Sequence, residues 1–331
     1  MASKSAVYRM ETPGKSSAVY PVDTMGAWFG ARSGRGCDMA RSKDWLKGRV
    51  VLITGSARGI GLATAKAFAR QGARIAISDI DEAAAHRAAE EVSAISPARA
   101  WRIDVRDRKG FAELIDLIEE DFGPVDVLVN NAGIMPIGPI LEESDETSRL
   151  QMDINVFGVL NGMHAAAPGM IRRGDGHIVN IASVAGKIGT PWIGVYSATK
   201  HAVVGLTEAV RFENQGTGVH FSYVMPALVR TELISGTGVP RYPPPVEPED
   251  VADAVVNAVM TLKVDTFVPR IASLSTILPA LLPRRVNEWL GEKFGLTDMF
   301  ATVDPSARKA YRDRIFGRAK DAIKGKRKKG A

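Results

Sequence analysis

The sequence is poor in the residues that bind metals and form crosslinks. It has one cysteine, Cys37, and five histidines among 331 residues. A single cysteine excludes an intrachain disulfide and a cysteine-based metal cluster. The histidines show no metal-ligand spacing such as His-Glu-x-x-His, so no metal is expected. The scarcity of cysteine fits a reducing, cytoplasmic location.

Long apolar runs are also missing. No run reaches the roughly 18 to 20 residues that a membrane-spanning helix needs, and the N-terminus lacks the apolar core of a secretory signal. Neither membrane insertion nor export is expected. The formal net charge is +6, but a terminal run holds much of the excess, and such a run is typically solvated, so nucleic acid is not an expected partner. The run contains Lys320, Lys324, Lys326, Arg327, Lys328 and Lys329.

With 45% hydrophobic and 24% charged residues, the composition is typical of a globular protein. Residues 1–45 lack a sustained period and are predicted to be a poorly ordered extension. Short β-branched runs then alternate with amphipathic stretches. The predicted strands are Val50–Thr54, Arg74–Ser78, Ala100–Ile103, Val125–Asn130, His177–Ile181, Val219–Val224 and Thr266–Pro269, each buried on both faces. The predicted helices are Ile60–Gln71, Glu82–Ser93, Arg108–Phe122, Asp145–Arg172, Tyr196–Asn214 and Pro248–Leu262.

This alternation predicts an α/β fold with a Rossmann-type doubly wound parallel sheet of about seven strands, helices on both faces, and a single domain over residues 46–270. Residues 271–310 are predicted to form a C-terminal helical and apolar extension, with a helix near Val286–Phe294, and residues 311–331 a basic tail. The extension is expected to pack on the domain as a flap or dimer segment. The alternative is peripheral contact with a membrane, because apolar residues beside a polybasic tail can add insertion to electrostatic attraction.

A glycine-rich loop joins the first strand to the first helix. Its glycines allow a sharp turn and a close approach of the backbone to a pyrophosphate, whose charge the helix N-terminus attracts. The residues expected to contact a dinucleotide here are Gly55, Ser56, Arg58, Gly59, Ile60 and Gly61. Asp79 ends the next strand, where a carboxylate binds the adenosine ribose and repels a 2′-phosphate, which favours NAD. Arg58 favours NADP, since a guanidinium can pair with that phosphate.

Tyr196 and Lys200 are four residues apart on a predicted helix, so their side chains project from the same face. A phenol with a pKa near 10 is a poor base at neutral pH. A neighbouring ammonium is expected to lower that pKa and make the tyrosine a general acid/base. Ser183 follows a strand at the carboxyl edge of the sheet, where its hydroxyl can bond a substrate oxygen.

Several motifs in order resemble the classical short-chain dehydrogenase/reductase family over about residues 46–270. They are Thr54-Gly-x-x-x-Gly-Ile-Gly61, Asp104, Asn130-Asn131-Ala132-Gly133, Asn155, Ser183, Tyr196-x-x-x-Lys200 and Pro226 to Thr231. The resemblance implies a catalytic tetrad of Asn155, Ser183, Tyr196 and Lys200. In that tetrad Asn155 holds a water in a proton relay through Lys200, which also bonds the nicotinamide ribose.

The resemblance implies further cofactor contacts. Asp104 and Val105 would lie near the adenine; Asn131, Ala132 and Gly133 beside the adenosine half; Pro226, Val229 and Thr231 beside the carboxamide. This chain has Ala227 where the family commonly has glycine, a change that can reshape the pocket beside the nicotinamide.

The residues expected near the substrate are mainly apolar and include no Arg or Lys to clamp an acid. They are Met135, Val184, Trp192 and Leu228, with Ile134, Ile137 and Ile188 nearby. The expected activity is therefore NAD(H)-dependent interconversion of a lipophilic secondary alcohol and a ketone. The alternatives are an NADP(H)-dependent ketone reductase, a non-catalytic nicotinamide-binding regulator and a membrane-surface protein.

The family resemblance also implies a homodimer or homotetramer. The helix after Lys200 carries a stripe of small and apolar residues of the kind that forms such an interface, and burial against the sheet explains the same stripe. It consists of Ala202, Val203, Leu206, Ala209 and Val210.

Overall fold

The computed structural model describes residues 40–238, 244–276, 282–293, 295, 299–301, 303–304 and 306–317. Residues 1–39 of the expected N-terminal extension and residues 318–331 of the expected tail lie outside the described residues. Within the described ranges, no helix combines the length and the apolar character needed to cross a bilayer.

Seven parallel strands form one sheet in the order β3-β2-β1-β4-β5-β6-β7. The strands are β1 Val50–Thr54, β2 Arg74–Asp79, β3 Ala98–Arg102, β4 Val125–Asn130, β5 Gly176–Ile181, β6 Val219–Pro226 and β7 Asp265–Val268. The order reverses between β1 and β4, so the chain leaves the centre of the sheet in both directions. In a doubly wound sheet this reversal opens a crevice at the carboxyl ends of the strands, where ligands bind. The predicted fold class is confirmed.

Helices cover both faces of the sheet. They are α1 Gly59–Arg70, α2 Glu82–Ser93, α3 Arg108–Phe122, α4 Asp145–Met152, α5 Gly158–Arg173, α6 Gly194–Glu213, α7 Pro248–Thr261, α8 Arg284–Lys293 and α9 over residues 309–317. A π-helical segment, Asp153–Phe157, joins α4 to α5.

The alternation of side chains along the strands divides the interior into two cores. Val50 and Leu52 of β1 point toward α3 and α5, in one cluster with Phe111 and Met163. Their neighbours Val51 and Ile53 point toward α1, α2 and α7 in a second cluster that includes Phe68, Ala85 and Val255. A strand buried on both faces must be apolar at every position, which explains the continuous Val-Val-Leu-Ile run of β1.

Two expectations about local structure were wrong. The edge strand β3 exposes Arg99 and Arg102, because no further strand covers its outer side. The single helix expected over Asp145–Arg172 is interrupted by the π-helical segment, whose wider turn holds Asn155. Segments of this kind are frequent at functional sites.

Packing extends past both ends of the expected domain, residues 46–270, and past residue 310, the expected end of the C-terminal extension. Arg41 donates hydrogen bonds to the carbonyl oxygens of Val259 and Gly176, and Trp45 packs on the second core. Packing therefore begins before residue 46. At the other end α9 packs on the domain through Tyr311, which is only 6% exposed, so residues 311–317 are not part of a solvated tail.

Candidate active site

The glycine loop requires its glycines for steric reasons. Gly55 has a φ of +63°, and a Cβ there would lie 2.9 Å from the Cα of Ala132. A Cβ on Gly61 would lie 2.4 Å from the carbonyl oxygen of Gly55 and 2.7 Å from the Cα of Ser56. All three contacts are with backbone atoms and are shorter than a Cβ tolerates. The loop is therefore a close-packed backbone surface, the form that an approaching pyrophosphate needs.

The N-terminus of α1 is free to receive an anion. Its N-cap residue, Arg58, makes no side-chain capping bond, and no acidic residue lies in its first turn. In contrast, Asp81 caps α2 and Asp107 caps α3. Uncapped N–H groups and the positive end of the helix dipole favour a phosphate at this position.

The end of β2 carries the carboxylate of Asp79 to the edge of the loop. Its Oδ2 accepts a hydrogen bond from the backbone N–H of Ala57, at 3.3 Å, and its Oδ1 accepts from the N–H of Asp81, at 3.0 Å. The guanidinium of Arg58 is paired with Asp81 at 3.1 Å and lies 3.8 Å from Glu232. Asp79 therefore presents a fixed negative charge to the crevice. The positive charge of Arg58 is already balanced by Asp81.

Ser183, Tyr196 and Lys200 meet at the carboxyl ends of β5 and β6. Ser183 caps a single 3₁₀ turn, accepting from the N–H of Ala185 at 3.1 Å, and hydrogen-bonds the hydroxyl of Tyr196. The Nζ of Lys200 donates to the carbonyl oxygen of Ile181 at 2.6 Å and lies 5.6 Å from the centre of the Tyr196 ring. The tyrosine and lysine share one face of α6, as their spacing predicts.

Burial dominates the acid–base properties of this group. It raises the pKa of Tyr196 to about 12, while the hydrogen bond with Ser183 acts in the opposite direction. Burial also lowers the pKa of Lys200 to about 8. The expected lowering of the tyrosine pKa by its lysine neighbour is thus not found, because desolvation of the phenolate exceeds the other effects and Nζ is bonded to Ile181.

Asn155 lies behind this group and is fully buried. Its Oδ1 accepts from the N–H of Ile134 at 2.9 Å, and its Nδ2 donates to the carbonyl oxygen of Ile134, at 2.9 Å, and to the hydroxyl of Thr199, at 3.1 Å. A Cβ on Gly133 would lie 3.2 Å from the Asn155 Oδ1. The amide therefore fixes the loop after β4 rather than facing the crevice.

One cavity of about 1690 Å³ joins the glycine loop to Tyr196 and continues toward the C-terminal segment. Pockets that bind a single drug-sized ligand have volumes of roughly 300–1,000 Å³, so this larger cavity accommodates a dinucleotide and a substrate together. Most of the sequence-predicted residues line it: Gly55, Arg58, Gly59, Ile60, Asp79, Asp104, Val105, Asn131, Ala132, Gly133, Met135, Ser183, Val184, Tyr196, Lys200, Pro226, Leu228, Val229 and Thr231.

Five predicted residues do not line the cavity: Ser56, Gly61, Ile137, Asn155 and Trp192. Ser56 is fully buried and donates its hydroxyl to the carbonyl oxygen of Ile53 at 2.7 Å, so this hydroxyl does not face the cavity. Gly61 acts through packing, and Asn155 lies behind the lining. Trp192 packs in the apolar cluster around Tyr196 without reaching the cavity surface.

The cavity is also lined by residues that the sequence did not predict. Arg106 lines it and forms a bidentate pair with Asp104. The C-terminal segment adds Phe300 and Tyr311. Residues 311–331 are rich in basic side chains and were therefore predicted to be a tail. The signal that could have indicated their role is the i, i+3, i+7 spacing of Arg308, Tyr311 and Ile315, which is typical of a buried helix face.

No group of three or more His, Cys, Asp or Glu side chains in the described part of the chain is placed to hold a metal ion. The features assembled here are those of a dinucleotide-dependent oxidoreductase, and residues 49–238 match the family model described as short chain dehydrogenase. The chain belongs to this family.

Three relatives illustrate the range of similarity. Sorbitol dehydrogenase of Cereibacter sphaeroides is 40% identical over 58% of this chain and 74% of the relative. The 17-beta-hydroxysteroid dehydrogenase 13 of Mus musculus is 32% identical over 72% of this chain and 79% of the relative. Glycine betaine reductase ATRR of Emericella nidulans is 35% identical over 64% of this chain, but the match spans only 18% of that longer protein.

Two solved structures of the family are similar to this dehydrogenase. A short chain dehydrogenase/reductase from Burkholderia phymatum in complex with NAD has a TM-score of 0.65 at 28% identity, covering 74% of this chain and 96% of the other. A gluconate 5-dehydrogenase from Burkholderia cenocepacia J2315 in complex with NADP and tartrate has a TM-score of 0.61 at 29% identity, covering 68% and 95%. Both structures thus contain a nicotinamide cofactor, which is NAD in one and NADP in the other.

Proposed function

We propose that this dehydrogenase interconverts a lipophilic secondary alcohol and a ketone with NAD(H), using Tyr196 as the general acid/base. The observation that carries the proposal is the shared cavity: Ser183, Tyr196 and Lys200 face the same space as the uncapped helix N-terminus and Asp79. The cavity can therefore hold a cofactor and a substrate side by side, with the substrate within reach of Tyr196.

The chemistry follows from the surroundings of each group. The cofactor, when bound, supplies or accepts the hydride. Tyr196 takes the hydroxyl proton of an alcohol during oxidation and returns it to the ketone oxygen during reduction, and Ser183 hydrogen-bonds that oxygen. Because burial raises the pKa of Tyr196 to about 12, the phenol holds its proton at neutral pH, which favours reduction there and oxidation at higher pH.

Lys200 and Asn155 have supporting roles in this proposal. Burial lowers the pKa of Lys200 to about 8, so its ammonium can release a proton near neutrality. Lys200 would also bond the nicotinamide ribose and orient it toward Tyr196. Asn155 acts as a positioning residue, since its amide holds both backbone groups of Ile134 beside the cavity.

The preference for NAD rests on charge at the end of β2. Asp79 presents a buried carboxylate to the cavity, and a 2′-phosphate placed there would meet a fixed like charge. Arg58 also lines the cavity, but its positive charge is balanced by the ion pair with Asp81. Initial rates with NAD and NADP at equal concentration test this assignment, and faster turnover with NADP would contradict it.

The substrate class rests on the lining beyond Tyr196. Met135, Val184, Ile188, Leu228 and Phe300 make this part of the cavity apolar, and such a surface binds a ligand mainly by removing apolar area from water. A panel of lipophilic secondary alcohols and ketones, followed by NADH absorbance, should give turnover. If none of the panel is converted while NADH binds, the proposed catalytic function is wrong.

A homo-oligomer is proposed from exposed apolar residues on neighbouring helical segments. Phe157 is 52% exposed and Phe212, at the end of α6, is 48% exposed. Most of the predicted stripe on α6 does not take part, because Val203, Leu206 and Val210 pack against the sheet. Light scattering after gel filtration should give a dimer or tetramer, and Phe157→Glu should shift it toward the monomer.

Peripheral contact with an anionic lipid surface is a second proposal. Leu274 and Ile271 are exposed at the mouth of the cavity, and Val286 and Trp289 are exposed on α8. Apolar side chains of this kind beside basic residues can enter a lipid interface. Cosedimentation with vesicles containing phosphatidylserine should exceed that with phosphatidylcholine alone, and Trp289→Gln should weaken it. Equal cosedimentation with both vesicles would contradict the proposal.

A further inference from the structure

The C-terminal helix α9 is tied to the walls of the cavity by buried polar contacts. Arg308, just before α9, is 3% exposed. Its guanidinium donates to the carbonyl oxygens of Leu233 at 2.8 Å, Ser235 at 3.3 Å and Met135 at 2.9 Å. Arg314 on α9 also pairs with Glu232. These contacts hold α9 against the loops after β4 and β6, so its inward face is a fixed part of the cavity.

Tyr311 is the polar residue on that inward face. It lines the cavity and is only 6% exposed, and its hydroxyl oxygen accepts a hydrogen bond from the backbone N–H of Met135 at 2.9 Å. A phenol can donate as well as accept. Among the described residues, no acceptor lies within hydrogen-bonding distance of its proton. The hydroxyl faces the cavity, so a ligand that accepts this bond takes the place of solvent and gains the net free energy of one hydrogen bond.

Tyr311 lies close to the reacting group. Met135, which bonds the Tyr311 hydroxyl, belongs to the same apolar cluster as Tyr196. The two phenols are also near enough for a charge on Tyr196 to raise the pKa of Tyr311. A substrate whose carbinol oxygen contacts Tyr196 therefore has Tyr311 within reach of atoms a few bonds away.

We propose that Tyr311 is a substrate-binding residue whose hydroxyl donates a hydrogen bond to a second oxygen of the substrate, a few bonds from the reacting carbinol. This assignment rests on the proposed oxidoreductase function and adds to it. The preferred substrate is then a lipophilic secondary alcohol or ketone that carries an adjacent hydroxyl, ether or carbonyl oxygen, rather than a simple alkanol.

Two isomeric alcohols test the assignment. In 1-methoxydecan-2-ol the ether oxygen lies beside the carbinol, and in 10-methoxydecan-2-ol it lies at the far end of the chain. The two have the same composition, and the ether can accept but not donate. We expect the wild-type protein to show a KM for the near ether about 3- to 10-fold below that for the far ether, the effect of one hydrogen bond.

The variant Tyr311→Phe keeps the ring and removes the hydroxyl. The ratio of kcat/KM for the near ether to that for the far ether should fall about 3- to 10-fold relative to wild type. Comparing ratios cancels the inductive effect of the ether on hydride transfer. Tyr223→Phe is the matched control, since Tyr223 is also buried but bonds Glu208 away from the cavity. Its ratio should equal that of wild type.

The outcomes separate this assignment from the function on which it rests. Equal wild-type KM values for the two ethers overturn the role of Tyr311, and this measurement needs no variant to fold. A merely structural tyrosine would lower both kcat/KM values together and leave their ratio unchanged, which also overturns it. If the panel of alcohols and ketones gives no turnover, the proposed function fails and this assignment fails with it.

Discussion

The cofactor side and the substrate side of the cavity are built in opposite ways. On the cofactor side, the bond from Ala57 to Asp79 joins residues 22 positions apart, and the surface is mostly backbone shaped by glycine. On the substrate side, Met135 is bonded to Tyr311 across 176 positions and to Arg308 across 173. The glycine loop and Asp79 are therefore close in sequence, although the loop also packs on Ala132, whereas the substrate side depends on the C-terminal segment.

This difference predicts which positions of the cavity tolerate substitution. A backbone surface leaves no room for an added side chain, so small changes near the glycine loop should act strongly on cofactor binding. A surface made of side chains from separate segments can change its lining without disturbing the sheet. Substrate preference should consequently vary independently of cofactor affinity, and variants on each side can test this separation.

The largest expected effect is at Tyr196, where the two sides meet. Tyr196→Phe removes the proton donor and acceptor while keeping the ring, so kcat should fall roughly 10²- to 10⁴-fold. NADH affinity, measured by fluorescence titration, should change little, because the glycine loop is untouched. Tyr223→Phe is the control for loss of a buried hydroxyl. Retention of most of the activity by Tyr196→Phe would rule out its proposed role.

The next effect is on the cofactor side. Gly61→Ala places a Cβ 2.4 Å from the carbonyl oxygen of Gly55, and relief requires the loop to move. We expect the free energy of unfolding to fall by about 1–3 kcal/mol and NADH affinity to fall with it. Gly205→Ala on α6 is the matched control, since a Cβ there meets nothing within 4 Å. It should be stabilising by about 0.5–1 kcal/mol, so equal behaviour of the two variants in urea unfolding would contradict the steric argument.

The same contrast decides what the sequence could predict. β1 is apolar at every position because both of its faces are buried, and Gly61 must be glycine because a backbone atom occupies the place of its Cβ. Requirements of this kind involve residues that are close together in the sequence. The sheet, the glycine loop and the Tyr196–Lys200 pair could therefore be predicted from the sequence.

Other features depend on contacts that the local sequence does not record. The turn around Asn155 widens to a π-helical segment while its amide bonds Ile134 on a different loop. The position of Tyr311 depends on three carbonyl oxygens that bind Arg308. Ser56 was expected to face the cofactor, but its hydroxyl is bonded to the carbonyl oxygen of Ile53. Tertiary hydrogen bonds determine each of these outcomes.

On the substrate side, Arg308→Met should loosen α9 while retaining much of the apolar stem. The variant loses hydrogen bonds to three carbonyl oxygens, and we expect the substrate KM to rise by about 10-fold, consistent with one or two net hydrogen bonds. NADH affinity should stay near wild type. Hydrogen exchange should increase around Met135 and Leu233. Arg312→Met, at an exposed position on α9, is the control, and a loss of NADH affinity as large as the rise in KM would contradict the separation of the two sides.

The last prediction concerns a pH dependence of stability from Lys200. Burial lowers its pKa from 10.5 to about 8. Between these values the unfolded chain holds a proton that the folded protein has released, so the contribution of Lys200 to the free energy of unfolding rises with pH. Lys200→Met lacks this contribution. The difference in unfolding free energy, wild type minus variant, should therefore grow by about 2 kcal/mol from pH 7 to about 9.5.

Urea unfolding of both proteins across this range measures the difference. The upper limit avoids Tyr196, whose raised pKa acts in the opposite sense: its contribution to stability is lost as pH rises from 10 toward about 12. Below about pH 7 the difference should be constant, because Lys200 is protonated in both states. A difference that stays constant up to pH 9.5 would mean that Lys200 keeps an ordinary pKa in the folded protein. The lysine would then reach water, and its ammonium rather than its amine would face Tyr196 throughout the working range.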